Sequence, residues 1–132
     1  MKYPVAIQKD KDSCYGVTVP DIPGCFSAGE SLDEAMNNVQ EAISSHLEIL
    51  AEDQELAPKP SLVDSHIDNK DYAGATWAYV DIDVSPFLGK TEKATVTLPK
   101  LIIRQIDALV AAGKAKNRSA FLADSALKSL RQ

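Results

Sequence analysis

Few residue groupings in this chain have the types and spacing that chemistry needs. Asp81 and Asp83 stand two positions apart in a β-branched and aromatic run, so on a strand both carboxylates project from one face, as metal-binding acids would. A magnesium-dependent nuclease needs further converging acids, and nothing in the spacing places Glu34, Glu41 or Asp64 beside that pair. A solvated polar face is therefore the expected role of Asp81 and Asp83, not catalysis. His46 and His66 have neither zinc spacing nor a catalytic partner at motif distance, and each is expected at the surface. Ser13, Ser27 and Ser44-Ser45 lack a nucleophile-elbow context, and no glycine-rich phosphate loop or dinucleotide fingerprint occurs. The expectation is a non-enzyme with no cofactor and no metal. Cys14 and Cys25, at no metal-ligand spacing, are expected to be small buried apolar residues and not a disulfide.

Two other groupings suit recognition. Lys93, Thr95 and Thr97 alternate with Ala94, Val96 and Leu98, so a strand there presents donors and acceptors on one side and an apolar row on the other. Asn117, Arg118 and Ser119 precede an apolar periodic stretch; a helix N-terminus with free amides and a nearby Arg is an anion site, and Asn117 is also a good cap.

These residues need elements to position them. Tyr3, Val5 and Ile7 alternate with polar residues, the cluster 9–13 breaks the run, and Tyr15, Val17 and Val19 resume it, which predicts a β-hairpin. The turn-rich 20–24 leads into a third short strand at Cys25–Ala28. Ser31 and Glu34 form a capping box, and Leu32, Ala35, Met36, Val39, Ala42, Ile43, Leu47 and Leu50 follow at helical spacing until Ala57-Pro58-Lys59-Pro60 stops them. Residues 62–71 read as irregular connection and Trp77–Val84 as a further strand, so the order is βββαβ. After the Pro- and Gly-containing 85–90, Lys93–Leu98 predicts a strand. Leu101–Ala112 predicts a helix with Ile102, Ile106 and Leu109 on one face and Gly113 as its stop. A second helix follows Asn117, with Leu122, Ala126 and Leu130 as its stripe.

Charge divides the chain at the same place. The net charge is −5 over 132 residues, but residues 1–89 hold 5 Lys and Arg against 16 Asp and Glu, net −11, while residues 90–132 hold 9 against 3, net +6. An acidic surface favours a basic protein and repels nucleic acid; a compact basic segment favours phosphate backbones. No apolar run approaches the roughly 18 residues of a membrane span and no secretory core follows the N-terminus, so a cytoplasmic location without a membrane partner is expected. A lone strand with two helices cannot close a core, and the natural solution is a symmetric dimer in which two strands pair antiparallel across a two-fold axis.

The segment KATVTLP, the helix containing Ile106-Asp107, the glycine turn and NRSAFLADSAL together resemble a ribbon-helix-helix DNA-binding domain over residues 92–130. The resemblance implies that the paired strands enter the major groove of operator DNA, with Lys93, Thr95 and Thr97 as base readers and Asn117, Arg118 and Ser119 on a phosphate. The chemistry agrees: Lys donates to guanine, and Thr donates, accepts or meets a thymine methyl. The run DIPGCFSAGESLDEAMNNVQEAI at 21–43, with the leading YPVAIQKD, resembles the HicB family of toxin-antitoxin antitoxins over residues 3–84. That implies a truncated ribonuclease-H-like fold which binds a small basic HicA-type mRNA interferase and covers its active site. The motif run itself is read as fold-forming, with Pro23 and Gly24 setting a turn, Phe26 packing and Ser31 capping; no toxin-contacting residue is legible in it.

The combined expectation is an α+β chain: a HicB-like toxin-binding domain at 1–85, a linker at 86–91, and a dimerising ribbon-helix-helix at 92–132. It would act as an antitoxin that also represses its own operon, with tetramers through the N-terminal domains left open. The alternative is a stand-alone transcriptional regulator whose N-terminal domain senses a small ligand.

Overall fold

A computed structural model describes every residue except Asp10, Asp12 and Gln132, so those two members of the expected turn cluster 9–13 lie outside the described residues. The chain divides into two compact units, Met1–Gly89 and Lys90–Gln132.

In the first unit, alternation gives β1 (Lys2–Lys9), β2 (Tyr15–Thr18), β3 (Phe26–Gly29) and, later, β4 (Thr76–Asp81). They form one antiparallel sheet in the order β3-β2-β1-β4. The first two strands pair with Ala6 opposite Thr18, and β1 meets β4 with Tyr3 opposite Val80. Because side chains alternate across the pleat, Tyr3, Val5, Val17, Val80 and the neighbouring Val19 and Cys25 form one buried layer. Against it lies α1 (Leu32–Glu52), whose Ala35, Val39, Ile43 and Leu47 are all buried. Ser31 caps α1 by accepting a hydrogen bond from the Glu34 amide at 3.1 Å, as the capping box predicts.

The end of α1 comes earlier than the prolines predict. Gln54 takes φ of 61°, and the Glu55 amide bonds back to the Leu50 carbonyl at 2.8 Å. This is a Schellman closure, with a glutamine where glycine is usual, so orphan carbonyls at the helix end are satisfied before Pro58 is reached.

The connection at 62–71, expected to be irregular, contains ordered 3₁₀ turns at Val63–Ser65 and Lys70–Tyr72 and packs on the sheet face opposite α1. On that face Pro4 and Ala6 of β1 are fully buried, opposite Tyr79 and Trp77 of β4. The Tyr79 hydroxyl accepts from the Val63 amide at 3.2 Å, and His66 stacks on Trp77 with centroids 6.0 Å apart.

Several expectations are corrected here. Phe26 does not pack; it is 70% exposed, because Cys25 takes the inward position and alternation turns Phe26 outward on an edge strand. Cys14 is exposed while Cys25 is buried, so the pair does not share one environment. The fourth strand ends at Asp81 and not at Val84, since Asp83 accepts the Ser85 amide and a 3₁₀ turn begins at Ser85.

The second unit holds α2 (Lys100–Ala111) and α3 (Arg118–Leu130). Gly113, at φ 76°, ends α2 with the Lys114 amide on the Leu109 carbonyl, as its position predicts. The expected strand at 93–98 is not formed: residues 90–99 pair with no strand of the chain. A strand's hydrogen bonds lie in its neighbour, and within the single chain no neighbour is available. Ala94 and Val96, expected inward, are exposed, Val96 by 60%.

A Cβ built on Gly29 lies 2.4 Å from the Ala35 amide nitrogen, so β3 and the first turn of α1 touch backbone to backbone. Gly29→Ala is expected to cost about 3 kcal/mol, the upper end of the overpacking range. Urea denaturation followed by the fluorescence of Trp77 in the first unit measures it; an unchanged midpoint would refute the contact.

Candidate binding surfaces and polar clusters

The acidic pair suspected of metal chemistry is separated by its own hydrogen bonds. Asp81 faces the N-terminal ammonium at 3.2 Å. Asp83 caps the Ser85 turn, and the backbone hydrogen bond from Ser85 holds its carboxyl below the usual carboxylate range. Among the described residues no three His, Cys, Asp or Glu side chains gather where they could hold a metal. Among those residues also, no helix is long and apolar enough to cross a membrane.

The structure assembles a polar cluster that the sequence does not announce. Asp21, from the β2–β3 turn, accepts the Ser61 amide at 2.8 Å and the Ser61 hydroxyl at 2.7 Å. His66 Nε2 lies 2.6 Å from the same hydroxyl oxygen. This brings a serine, a histidine and an aspartate together, but with the wrong direction for nucleophilic catalysis. The hydroxyl has one proton and gives it to Asp21, so His66 Nε2–H must donate to Ser61 Oγ. A base that activates serine has to accept that proton. The cluster instead fastens the crossover 58–75 to the sheet, with the His66, Tyr72 and Trp77 rings in mutual contact, His66 stacked on Trp77 and Tyr72 T-shaped to both. His66 is thus mostly covered, against its expected surface role. His46 is likewise half-buried, its Nδ1 2.9 Å from the Ala42 carbonyl. No motif spacing could have found this cluster, because its three members span 45 residues and meet only through the crossover.

In the second unit Lys93, Thr95 and Thr97 are all exposed. Lys93 and Ser119 line one groove together with Glu92 and Ala123, whereas Thr95 and Thr97 do not line it. Asn117 caps α3 by accepting the Ala120 amide at 2.8 Å. Arg118 is engaged within the unit: its guanidinium makes two parallel bonds to Asp107 of α2, at 2.7 and 2.8 Å. Hydrogen bonding to Arg118 holds the Asp107 carboxyl below its ordinary range and raises Arg118 in turn. The three residues expected on a phosphate therefore have different local roles: a cap, an interhelical tie and a groove wall.

These features define a two-unit α+β protein, an acidic sheet-and-helix unit joined to a basic two-helix unit. The chain belongs to the family of HicB-like antitoxins of bacterial toxin-antitoxin systems, whose model matches residues 3–126. It is 44% identical, over 98% of both chains, to an uncharacterised 14.9 kDa protein from the rep-hol intergenic region of Haemophilus phage HP1. Its structure is similar to that of the Burkholderia pseudomallei antitoxin HicB, with a TM-score of 0.76 and 45% identity over 98% of both chains. It is also similar to a chain of a HicA3 and HicB3 toxin-antitoxin complex, with a TM-score of 0.52 and 32% identity over 63% of this chain and 99% of that one.

Two predictions follow from the local chemistry. Burial raises the Cys25 thiol above its ordinary pKa, while Cys14 is exposed, so a thiol reagent at neutral pH should modify Cys14 quickly and Cys25 only on unfolding. Equal rates would contradict the placement of Cys25. For Asp107, a lowered folded pKa means that its stabilising contribution is present above the unfolded value and is lost as pH falls through the folded one. The Arg118 Hε resonance should therefore stay shifted through the usual carboxylate range and collapse below it in an NMR titration. Collapse at the ordinary Asp value would remove the ion pair.

Proposed function

We propose that this chain is an antitoxin which neutralises a small basic toxin of the HicA type through residues 1–85 and represses its own operon as a dimer through residues 92–132, the two joined by a linker at 86–91. It acts in the cytoplasm, and no catalytic step is assigned to it. The toxin half is supported by family membership and by the likeness to a chain of the HicA3–HicB3 complex, 99% of which is covered by 63% of this one. A unit of net charge −11 attracts a basic RNA-binding protein over long range and competes with RNA for its positive surface. The likeness of this unit to a truncated ribonuclease-H-like fold is supported by the order βββαβ with one helix covering one sheet face.

One observation carries the dimer. Among its described residues the second unit has a single buried apolar side chain, Ile106, while Val96, Leu101, Ile102 and Leu130 are exposed. Forty-odd residues cannot remain folded on such a core alone, and a second copy supplies both the missing apolar cover and a partner strand for 93–98. In that pairing Ala94, Val96 and Leu98 turn inward, which leaves Lys93, Thr95 and Thr97 for base edges. The N-terminus of α3, with Asn117, Arg118 and Ser119, is left for a phosphate. Arg118 reaches a phosphate only by sharing or releasing Asp107.

Co-expression tests the toxin half: the full chain should restore growth to cells expressing its cognate HicA-type toxin and should co-purify with it in stoichiometric amount. Recovery of DNA with no protein partner would instead support a ligand-sensing regulator. For the DNA half, Lys93→Ala or Thr97→Ala is expected to cost about 1 to 3 kcal/mol of operator affinity by fluorescence anisotropy while leaving toxin binding intact. Unchanged operator affinity would remove these residues from the base-reading role.

A further inference from the structure

The two edges of the sheet are treated differently. At β3 the outer edge is engaged by α1: Asn38 Nδ2 donates to the Ala28 carbonyl at 2.8 Å, while Ser27 Oγ donates to the Ala35 carbonyl at 2.9 Å and Gly29 abuts the helix backbone, holding the helix against the strand. At β4 nothing equivalent is built. Among the described residues, the backbone groups of Thr76–Asp81 pair with β1 on one side and have no hydrogen-bond partner on the other. An open edge is a template for another strand, and folded proteins normally blunt such edges.

Beside this edge the crossover presents apolar side chains to solvent. Leu62 is 65% exposed, Ile67 57% and Tyr79 46%. They are neighbours through the Val63–Tyr79 hydrogen bond and the His66–Trp77 stack, which place the two ends of the 62–67 stretch against β4. Aromatic and aliphatic groups on a rigid support, rimmed by polar residues, have the composition of an interface centre. The rim is acidic in balance: Asp64, Asp68, Asp71 and Asp81 are exposed, against Lys2 and Lys70.

Charge decides the occupant. A second copy would bring the same patch against itself across a two-fold axis, acid facing acid, within a unit of net charge −11. A basic protein meets the same surface with the opposite sign. We infer that the basic partner docks on the open edge of β4 and on the Leu62, Ile67 and Tyr79 patch beside it, adding an extended segment to the sheet as a fifth strand. This rests on the toxin-binding reading above and names its surface. The acidic outer face of α1, with Glu34, Glu41, Glu48 and Glu52, then attracts at long range without forming the contact.

The test uses the full chain and, as probe, its purified cognate HicA-type toxin. On complex formation, hydrogen exchange should slow at Thr76–Asp81 and across 62–72 and stay unchanged on the outer face of α1. Leu62→Lys and Ile67→Lys, both at exposed positions, should weaken binding at least about tenfold with unchanged melting temperature, whereas Ile49→Lys on α1 should bind as the wild type does. Wild-type affinity in both crossover variants, or loss of affinity in Ile49→Lys alone, overturns the assignment. A change of oligomeric mass with partner affinity retained also overturns it, because the edge then belongs to a second copy. Failure of the wild-type chain to bind the probe defeats the toxin-binding reading itself, a result distinct from the others.

Discussion

A four-stranded antiparallel sheet has two faces to keep from water, and the N-terminal unit has a single long helix with which to do it. Much of the rest follows from that shortage. Tyr3, Val5, Val17 and Val80 are covered by α1, while Pro4 and Ala6 on the reverse side are covered by a crossover with only two turns of 3₁₀ structure. The backbone hydrogen bonds inside this segment close local turns and do not reach the sheet, so it keeps its place there only if something else fastens it. The fastening is the Asp21–Ser61–His66 cluster, together with the Tyr79 hydroxyl on Val63, the Gln8 amide on the Asp71 carbonyl and the Tyr3 hydroxyl on the Pro58 carbonyl. All but the local Ser61–His66 bond join groups at least 16 residues apart in sequence, and their net worth is about 1 kcal/mol apiece. The crossover is thus a layer of the fold and carries outward-facing residues in fixed positions.

The same shortage of cover takes another form in the C-terminal unit. There α2 and α3 are tied by the Arg118–Asp107 fork, but both partners are well exposed, and an exposed ion pair adds little to stability. With Ile106 as the one buried apolar side chain among its described residues, the unit has little core of its own. Membership of the HicB-like antitoxin family and the full-length likeness to the Burkholderia pseudomallei antitoxin place this arrangement among proteins with the same overall plan.

The proposed functions divide along the line that divides charge. An acidic unit that offers an open strand edge and an apolar patch suits a basic protein partner, and a basic unit that lacks a partner strand suits a second copy and a phosphate backbone. The serine, histidine and aspartate that meet in the first unit are arranged for adhesion: one hydroxyl proton, already given to Asp21, fixes the direction of the whole cluster.

Much of this was legible in the sequence. Alternation at Tyr3, Val5 and Ile7, helical spacing from Leu32 to Leu50, the Ser31 cap and the Gly113 stop are local patterns with local causes, so they set β1, α1 and the end of α2 without reference to anything distant. The change of charge sign after Gly89 needed only counting. Tertiary structure alone decided the rest. Whether Phe26 or Cys25 faces inward depends on the register of β3 against β2, and whether 62–71 is loop or layer depends on an uncovered sheet face. Arg118 meets Asp107 only because the Gly113 turn folds α3 back toward α2. The stretch 93–98 has the alternation of a strand but no ladder, since a strand's hydrogen bonds lie in its neighbour and none of the strands described stands beside it.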